Sequence, residues 1–172
     1  MIKRTAAALC ALMLVSASAA QAAVPAPKVS IASFAQLKTP LPYPYDEKAD
    51  ADKVVAAAKA KAKAQGKLLI IDLGGNWCPD CRILAGTAEL PEVKRFIDRH
   101  FVMITVDVGR FDKNLQVPAH WGITKRLEGV PALLVVDPKT DKLLDEGKVS
   151  ALSDARHMSP QGLADWLAQW AR

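Results

Sequence analysis

The sequence predicts an α/β fold, a central mixed sheet with helices on both of its faces. Three observations carry that expectation. Helix-forming and strand-forming stretches alternate along the chain. The strand-forming runs are apolar almost throughout, as strands buried on both faces require. Helix start and stop residues fall between the runs.

The first helix is expected from Asp50 to Gln65, a stretch rich in Ala and Lys, both good helix formers. Asp50 or Asp52 suits its positive N-terminal end and Gly66 its stop. Val54, Val55, Ala58 and Ala62 recur near helical spacing. Lys67 to Leu73 follows as a buried strand with one carboxylate, Asp72, inside it. Gly74 and Gly75 break that strand, and Pro79 sits where a helix can begin. Pro91 opens a second helical piece with Val93, Phe96 and Ile97 inward. Phe101 to Val108 is the next strand, and Gly109 to Gln116 is polar and loop-like. A short helix is expected over Ala119 to Leu127, a strand over Val130 to Val136, a turn at Asp137 to Asp141 and an edge strand over Leu143 to Val149. Ser159-Pro160 is an N-cap followed by proline at the first helical position. It introduces a final helix with Leu163, Trp166, Leu167 and Trp170 on one face.

The ends read differently. Residues 1–22 have the pattern of an export signal: Lys3 and Arg4, an apolar run from Ala6 to Val15, and small residues at Ala20 and Ala22. The run is shorter than the ~20 residues that span a bilayer, and nothing later in the chain is apolar for long enough. Cleavage after Ala22 is expected, with a periplasmic or secreted product. Residues 23–47 form a proline-rich arm carrying Pro25, Pro27, Pro40, Pro42 and Pro44, with Phe34, Tyr43 and Tyr45 as candidates to dock it. Residues 48–172 form the folded domain. The net charge of +5 falls to about +3 once Lys3 and Arg4 leave with the signal. Lys59, Lys61 and Lys63 are a solvated helix surface without interleaved aromatics, so no nucleic-acid partner is expected.

Of the three cysteines, Cys10 lies in the signal, leaving Cys78 and Cys81. Two cysteines spaced C-x-x-C do not make a disulfide-stapled scaffold, and so small a loop gains little from closure. The pair points to chemistry. Cysteine reacts as the thiolate. Cys78 is placed at a helix N-terminus, where free N–H groups and the helix dipole favour an anion. Cys81, one turn on, can reach the same sulfur, so a two-step exchange is open: attack by Cys78, then resolution by Cys81. Zinc is the main competitor, but no second C-x-x-C is present and His100, His120 and His157 are widely separated. A Cu(I)-handling pair is the alternative, since soft thiolates suit that ion. No glycine-rich phosphate loop is present, so no nucleotide, flavin or metal is expected as cofactor; the redox group is the Cys78–Cys81 pair itself.

Trp77-Cys78-Pro79-Asp80-Cys81 after a strand resembles the active-site motif of the thioredoxin superfamily. Asp72, six residues before Cys78, matches the family's buried carboxylate. Gly129-Val130-Pro131 before a strand is similar to its cis-proline loop. The resemblance covers roughly Val54 to Arg172 and implies the thioredoxin fold. It also implies that Asp72 moves the proton of Cys81, and that Val130 and cis-Pro131 pair with an extended substrate beside Trp77. From the residues alone, Asp72 is either a buried proton acceptor with a raised pKa or a strand-end residue in solvent. Likewise Pro131 is cis or trans, and Trp77 shields the disulfide or simply packs.

The sequence departs from the family at three places. Pro79-Asp80 stands where thioredoxins have Gly-Pro. A carboxylate there disfavours a nearby thiolate, which predicts a more reducing couple unless helix N–H groups hold Asp80. Met103 stands at the place of the family's lysine near the buried Asp. Thr124 to Glu128 lengthen the approach to Pro131. The function expected is a periplasmic thiol–disulfide oxidoreductase acting on protein thiols or disulfides and leaning to reduction. A membrane electron-transfer thiol protein is a possible partner.

Overall fold

The computed structural model describes residues 23–172; the expected export signal, with Cys10, lies outside them. Helix α1 (Ala51–Gln65) is capped by Asp50, whose carboxylate accepts the Lys53 N–H, and stops at Gly66, where φ is +66°. Strand β1 (Leu68–Gly74) is buried along its whole length. Helices α2 (Pro79–Ala88) and α3 (Pro91–His100) both begin on proline, and α3 runs directly into β2 (Phe101–Asp107). Then come α4 (Gln116–His120), β3 (Ala132–Asp137), β4 (Lys142–Leu143) and α5 (Pro160–Ala168), whose cap Ser159 accepts the Gly162 N–H.

The sheet order is β2-β1-β3-β4. β1 runs parallel to β2 and antiparallel to β3, so the sheet is mixed. Because side chains alternate across a strand, β1 feeds two cores. Leu69, Ile71 and Leu73 pack with Ala58 and Ala62 of α1 and Val117 of α4. Leu68 and Ile70 pack with Leu84, Phe96, Leu163 and Leu167 on the α2, α3 and α5 side. Asp72 and Gly74 share that second face. No helix among the described residues is long and apolar enough to cross a membrane.

Two elements differ from expectation. The helix expected at Ala119 to Leu127 lies earlier and is short, because Gly122 takes φ +82° directly after it. The edge strand expected over Leu143 to Val149 pairs only at Lys142 and Leu143. Asp145 turns inward and its carboxylate accepts the Val135 N–H at 2.9 Å, while Gly147 takes φ +75°. A side chain thus occupies a ladder position that a longer strand would fill.

The proline-rich segment is packed along the body. Val24, Val29 and Phe34 join the core on the α3 and α5 side, and Gln161 brackets the chain at Pro27 and Val29. Further on it crosses α2, where Leu37 and Leu41 lie against Gly86; a side chain there would crowd both leucines. Arg82 donates to the carbonyls of Leu41 and Pro42, and Thr105 of β2 donates to that of Pro44 at 2.8 Å. Tyr45 then turns inward and is 2% exposed, while Tyr43 stays outside under the Arg82 guanidinium.

Candidate active site

Cys78 is the cap of α2. Its backbone is extended, and its Sγ accepts the N–H of Cys81 at 3.1 Å. Proline at the next position loses no hydrogen bond in the first turn. The two cysteines are joined as a disulfide, with Cα atoms 5.3 Å apart. Cys78 retains 3% exposure and Cys81 none, so Cys78 is the one an incoming group can reach.

The loop from Gly122 to Pro131 delivers Val130 to the same spot. The Val130–Pro131 peptide bond is cis, and the Val130 carbonyl oxygen lies 3.4 Å from Cys78 Sγ. Trp77 is 38% exposed. Its indole N–H donates to the Gly109 carbonyl at 2.7 Å, its ring meets Phe111 edge-on, and the Arg110 guanidinium lies 4.3 Å over it. Arg126, in the lengthened loop before Pro131, lies 4.0 Å over Phe111. The rim beside Cys78 is therefore aromatic with a cationic edge.

The two carboxylates near the disulfide have opposite surroundings. Asp80 is buried, but Arg156, from a short 3-10 helix (Ala155–His157) before α5, grips it. The Arg156 backbone N–H donates to Oδ1 at 2.8 Å, Nε donates to both oxygens, and Nη2 pairs with Oδ2. Burial raises the Asp80 pKa, and the hydrogen bonds and charge of Arg156 outweigh it, so the carboxyl sits below its usual range. This corrects the like-charge reading of Asp80. The carboxylate is compensated by a guanidinium 76 residues away, in addition to the helix N–H it accepts.

Asp72 is 1% exposed, inside β1 and not at a solvated strand end. Burial pushes its pKa up to about 7, against one hydrogen bond that lowers it. That bond comes from the Tyr45 hydroxyl at 3.0 Å. Asp72 and Met103 line the same surface cleft, of about 320 Å³, with Pro44 and Thr105. Among the described residues, the side chain bonded to this carboxylate is a phenol and not a cation. Tyr45 is fixed by a reciprocal pair with Asn76: its N–H donates to Asn76 Oδ1 at 3.1 Å, and Asn76 Nδ2 donates to its carbonyl at 2.8 Å. Gly74 makes room for it. A Cβ there would overlap the Tyr45 hydroxyl and lie 2.8 Å from Cys81 Sγ.

The structure thus brings Asp72, Trp77, Cys78, Pro79, Asp80, Cys81, Val130 and Pro131 to one end of the sheet. Sequence reasoning missed Arg156, Asn76 and the bond from Tyr45 to Asp72. Only Tyr45 left a signal, as one of three aromatic residues in the arm. The histidines lie elsewhere: His120 against Asp141, His157 against Asp154, and His100 stacked on Phe96. Among the described residues no three His, Cys, Asp or Glu side chains converge as a metal site would require.

The sequence profile of the thioredoxin-like family matches residues 50–138. Among solved structures, the chain is similar to a disulphide isomerase from Xylella fastidiosa Temecula1. The identity is 38% and the TM-score 0.67, over 74% of this chain and 96% of that one. It is also similar to the C-terminal domain of DsbD from Neisseria meningitidis in its oxidised form, with 25% identity and a TM-score of 0.40, over 56% of this chain and 83% of that one. No curated protein sequence matches. With a C-x-x-C disulfide at the start of α2, a mixed four-stranded sheet and a family profile spanning half its length, the chain belongs to the thioredoxin-like family and has the thioredoxin fold.

Proposed function

We propose that the protein is an exported thiol–disulfide oxidoreductase that exchanges disulfides with protein substrates through Cys78 and Cys81. The observation that carries this reading is the placement of Cys78. It caps a helix, is bonded to Cys81, and lies against the carbonyl before a cis-proline. The 38% identity to a disulphide isomerase over most of the chain supports the same chemistry.

In the reducing direction the Cys78 thiolate attacks a substrate disulfide. One substrate sulfur joins Cys78, and the other leaves as a thiolate and takes up a proton. Asp72 then accepts the proton of Cys81, whose sulfur attacks Cys78; the intramolecular disulfide forms and the second substrate thiol leaves. Two electrons pass from the dithiol to the substrate, and oxidation is the same path reversed. The backbone of Val130 pairs with the extended substrate, and Trp77 with its stacked Arg110 forms the wall beside it. No cofactor beyond the disulfide takes part.

The direction of flow follows from the reduction potential. With Asp80 compensated by Arg156, its charge ceases to argue for the reducing side. A value near about −270 mV makes the protein a reductase, fed by a thiol protein that carries electrons across the membrane. A value near about −120 mV makes it a disulfide donor.

The decisive test is turnover of insulin or a small disulfide. Cys78→Ser is expected to abolish it, and Cys81→Ser to accumulate mixed disulfides with substrate. Exchange by Cys78→Ser at the wild-type rate would falsify the assignment. Stoichiometric Cu(I) retention by the wild type without exchange would instead favour a metal-handling module. Export is checked by fractionating cells and sequencing the N-terminus of the product, expected to begin at Ala23.

A further inference from the structure

The resolving step needs a proton to leave Cys81, a residue with no solvent exposure. The acceptor assigned above is Asp72. Between the two stands the hydroxyl of Tyr45. It donates to Asp72 Oδ1 at 3.0 Å, and it and the Cys81 sulfur close on the same point above Gly74, where an added Cβ would overlap the hydroxyl and lie 2.8 Å from the sulfur. Asp72 and Gly74 are two residues apart on one face of β1, so the hydroxyl bonded to the carboxylate stands over the same glycine as the sulfur. It has no other hydrogen-bond partner among the described residues, so its acceptor lone pairs are uncommitted.

We propose that Tyr45 is the proton relay between Cys81 and Asp72, and that the N-terminal arm thereby belongs to the active site. The proposal rests on the exchange chemistry above and adds to it a residue from outside the motif. As Cys81 attacks Cys78, its S–H proton passes to the Tyr45 oxygen while the Tyr45 proton passes to Asp72. The Cys81 sulfur bonds to Cys78, the substrate sulfur departs with the bonding pair, and Tyr45 ends neutral as it began. The transfer is concerted, because burial and the neighbouring Asp72 push the phenol far above its ordinary range and no phenolate forms. From Asp72 the proton leaves by the cleft that Pro44, Met103 and Thr105 border.

The arm is held for this task at both ends of the tyrosine. Thr105 fixes the carbonyl of Pro44, and Asn76, two residues before Cys78, clasps the backbone of Tyr45. The ring direction is thus set from the same turn that presents the nucleophile.

Tyr45→Phe tests the relay, since it removes one oxygen and keeps the ring. Reduced protein is mixed with one equivalent of dithiobis(nitrobenzoate), full-length and in parallel with Asp72→Asn. Attack by Cys78 releases one aromatic thiolate, and closure by Cys81 releases the second. In Tyr45→Phe the first phase is expected to be unchanged and the second to slow about tenfold or more at pH 7. The deficit disappears near pH ~10, where a thiol ionises unaided. The double variant with Asp72→Asn is expected to be no slower than the slower single variant. A second phase at the wild-type rate at pH 7 overturns the proposal, as does slowing by one factor at every pH, which would mark a structural role. If wild type shows no second phase, or Cys78→Ser gives the first phase undiminished, the exchange reading itself fails. That failure shows in the wild type and in Cys78→Ser, independently of any change at Tyr45.

Discussion

Asp72→Asn is expected to stabilise the protein at pH 8 while impairing exchange. Asp72 is buried, and burial lifts its pKa from 3.8 to about 7. At pH 4 the carboxyl is protonated in the folded chain and already about half ionised in the unfolded one. As the pH rises toward 7 the unfolded chain releases the proton and the folded chain holds it. The unfolded state then binds fewer protons, so stability falls with rising pH until the folded carboxyl also ionises. The interval is about three pH units at ~1.4 kcal/mol each, which puts the penalty at about 4 kcal/mol above pH 7. Asparagine carries no charge, fits the same volume, and keeps an oxygen to accept the Tyr45 hydroxyl. For a domain of this size ~4 kcal/mol corresponds to a rise in Tm of roughly 8–16 °C at pH 8. Thermal melts of the oxidised proteins, followed by circular dichroism at pH 4.5 and pH 8, measure the difference directly. It should be large at pH 8 and small at pH 4.5. A variant no more stable than wild type at pH 8, or a difference independent of pH, refutes the reasoning.

Arg156→Ala leaves the Asp80 carboxylate buried without its cation. Fully buried pairs lose ~3–5 kcal/mol when broken this way, but the Arg156 side chain is nearly half exposed, so about 1–3 kcal/mol is expected. The couple also shifts to more reducing values, because the carboxylate then opposes a nearby thiolate. Denaturant titration and equilibration with glutathione read the two effects, and an unmoved potential would contradict the second. Gly74→Ala forces a methyl into the Tyr45 hydroxyl. An overpacking loss of ~1–3 kcal/mol and slower resolution by Cys81 are expected, and a wild-type melting curve would show that the contact yields freely. Asp145 is fully buried, and burial raises its pKa to about 6 against the N–H it accepts from Val135. Asp145→Asn should therefore differ from wild type increasingly between pH ~4 and 6, by at most about 3 kcal/mol. A stability difference that stays flat across that window would place the ionisation elsewhere.

The central architecture was legible because it is written in local signals. Leu68 to Leu73 is apolar on both faces and can only be an interior strand. Ser159-Pro160 and Cys78-Pro79 mark helix starts by the chemistry of the first turn. The sequence also placed Cys78 at a helix cap and Asp72 within a strand, since both follow from one short stretch. The remainder depends on contacts that no local pattern encodes. Arg156 reaches Asp80 across 76 residues from a single turn of 3-10 helix too short to show periodicity. Tyr45 reaches Asp72 from an arm whose prolines say only that it is extended. The edge strand is shorter than the expected Leu143 to Val149 because Asp145 turns inward to take a ladder N–H, which no local pattern reveals. The helix near Ala119 was misplaced because Gly122 was read as a helix interior instead of its end.

The two carboxylates flanking one disulfide explain why those long-range contacts matter. Left to burial alone, both Asp72 and Asp80 would tend toward neutrality. Arg156 reverses this for Asp80, giving a fixed negative charge whose field is cancelled at close range. Among the described residues no cation pairs with Asp72. The methionine at the expected lysine position leaves it with a single hydroxyl donor, and its pKa stays near 7. Environments that push paired carboxyls apart assign them different tasks: in the exchange proposed here, the ionised one holds structure and tunes the couple, and the one poised near neutral pH trades protons. That division needs a donor to Asp72 that does not itself carry charge. A lysine would depress the carboxyl and keep it ionised at pH 7; a phenol touches it, leaves it poised, and offers its oxygen to the sulfur beyond. The neutral partner comes from the arm, so on the proposed relay the proton chemistry of this site draws on a residue that precedes the C-x-x-C motif by some thirty positions.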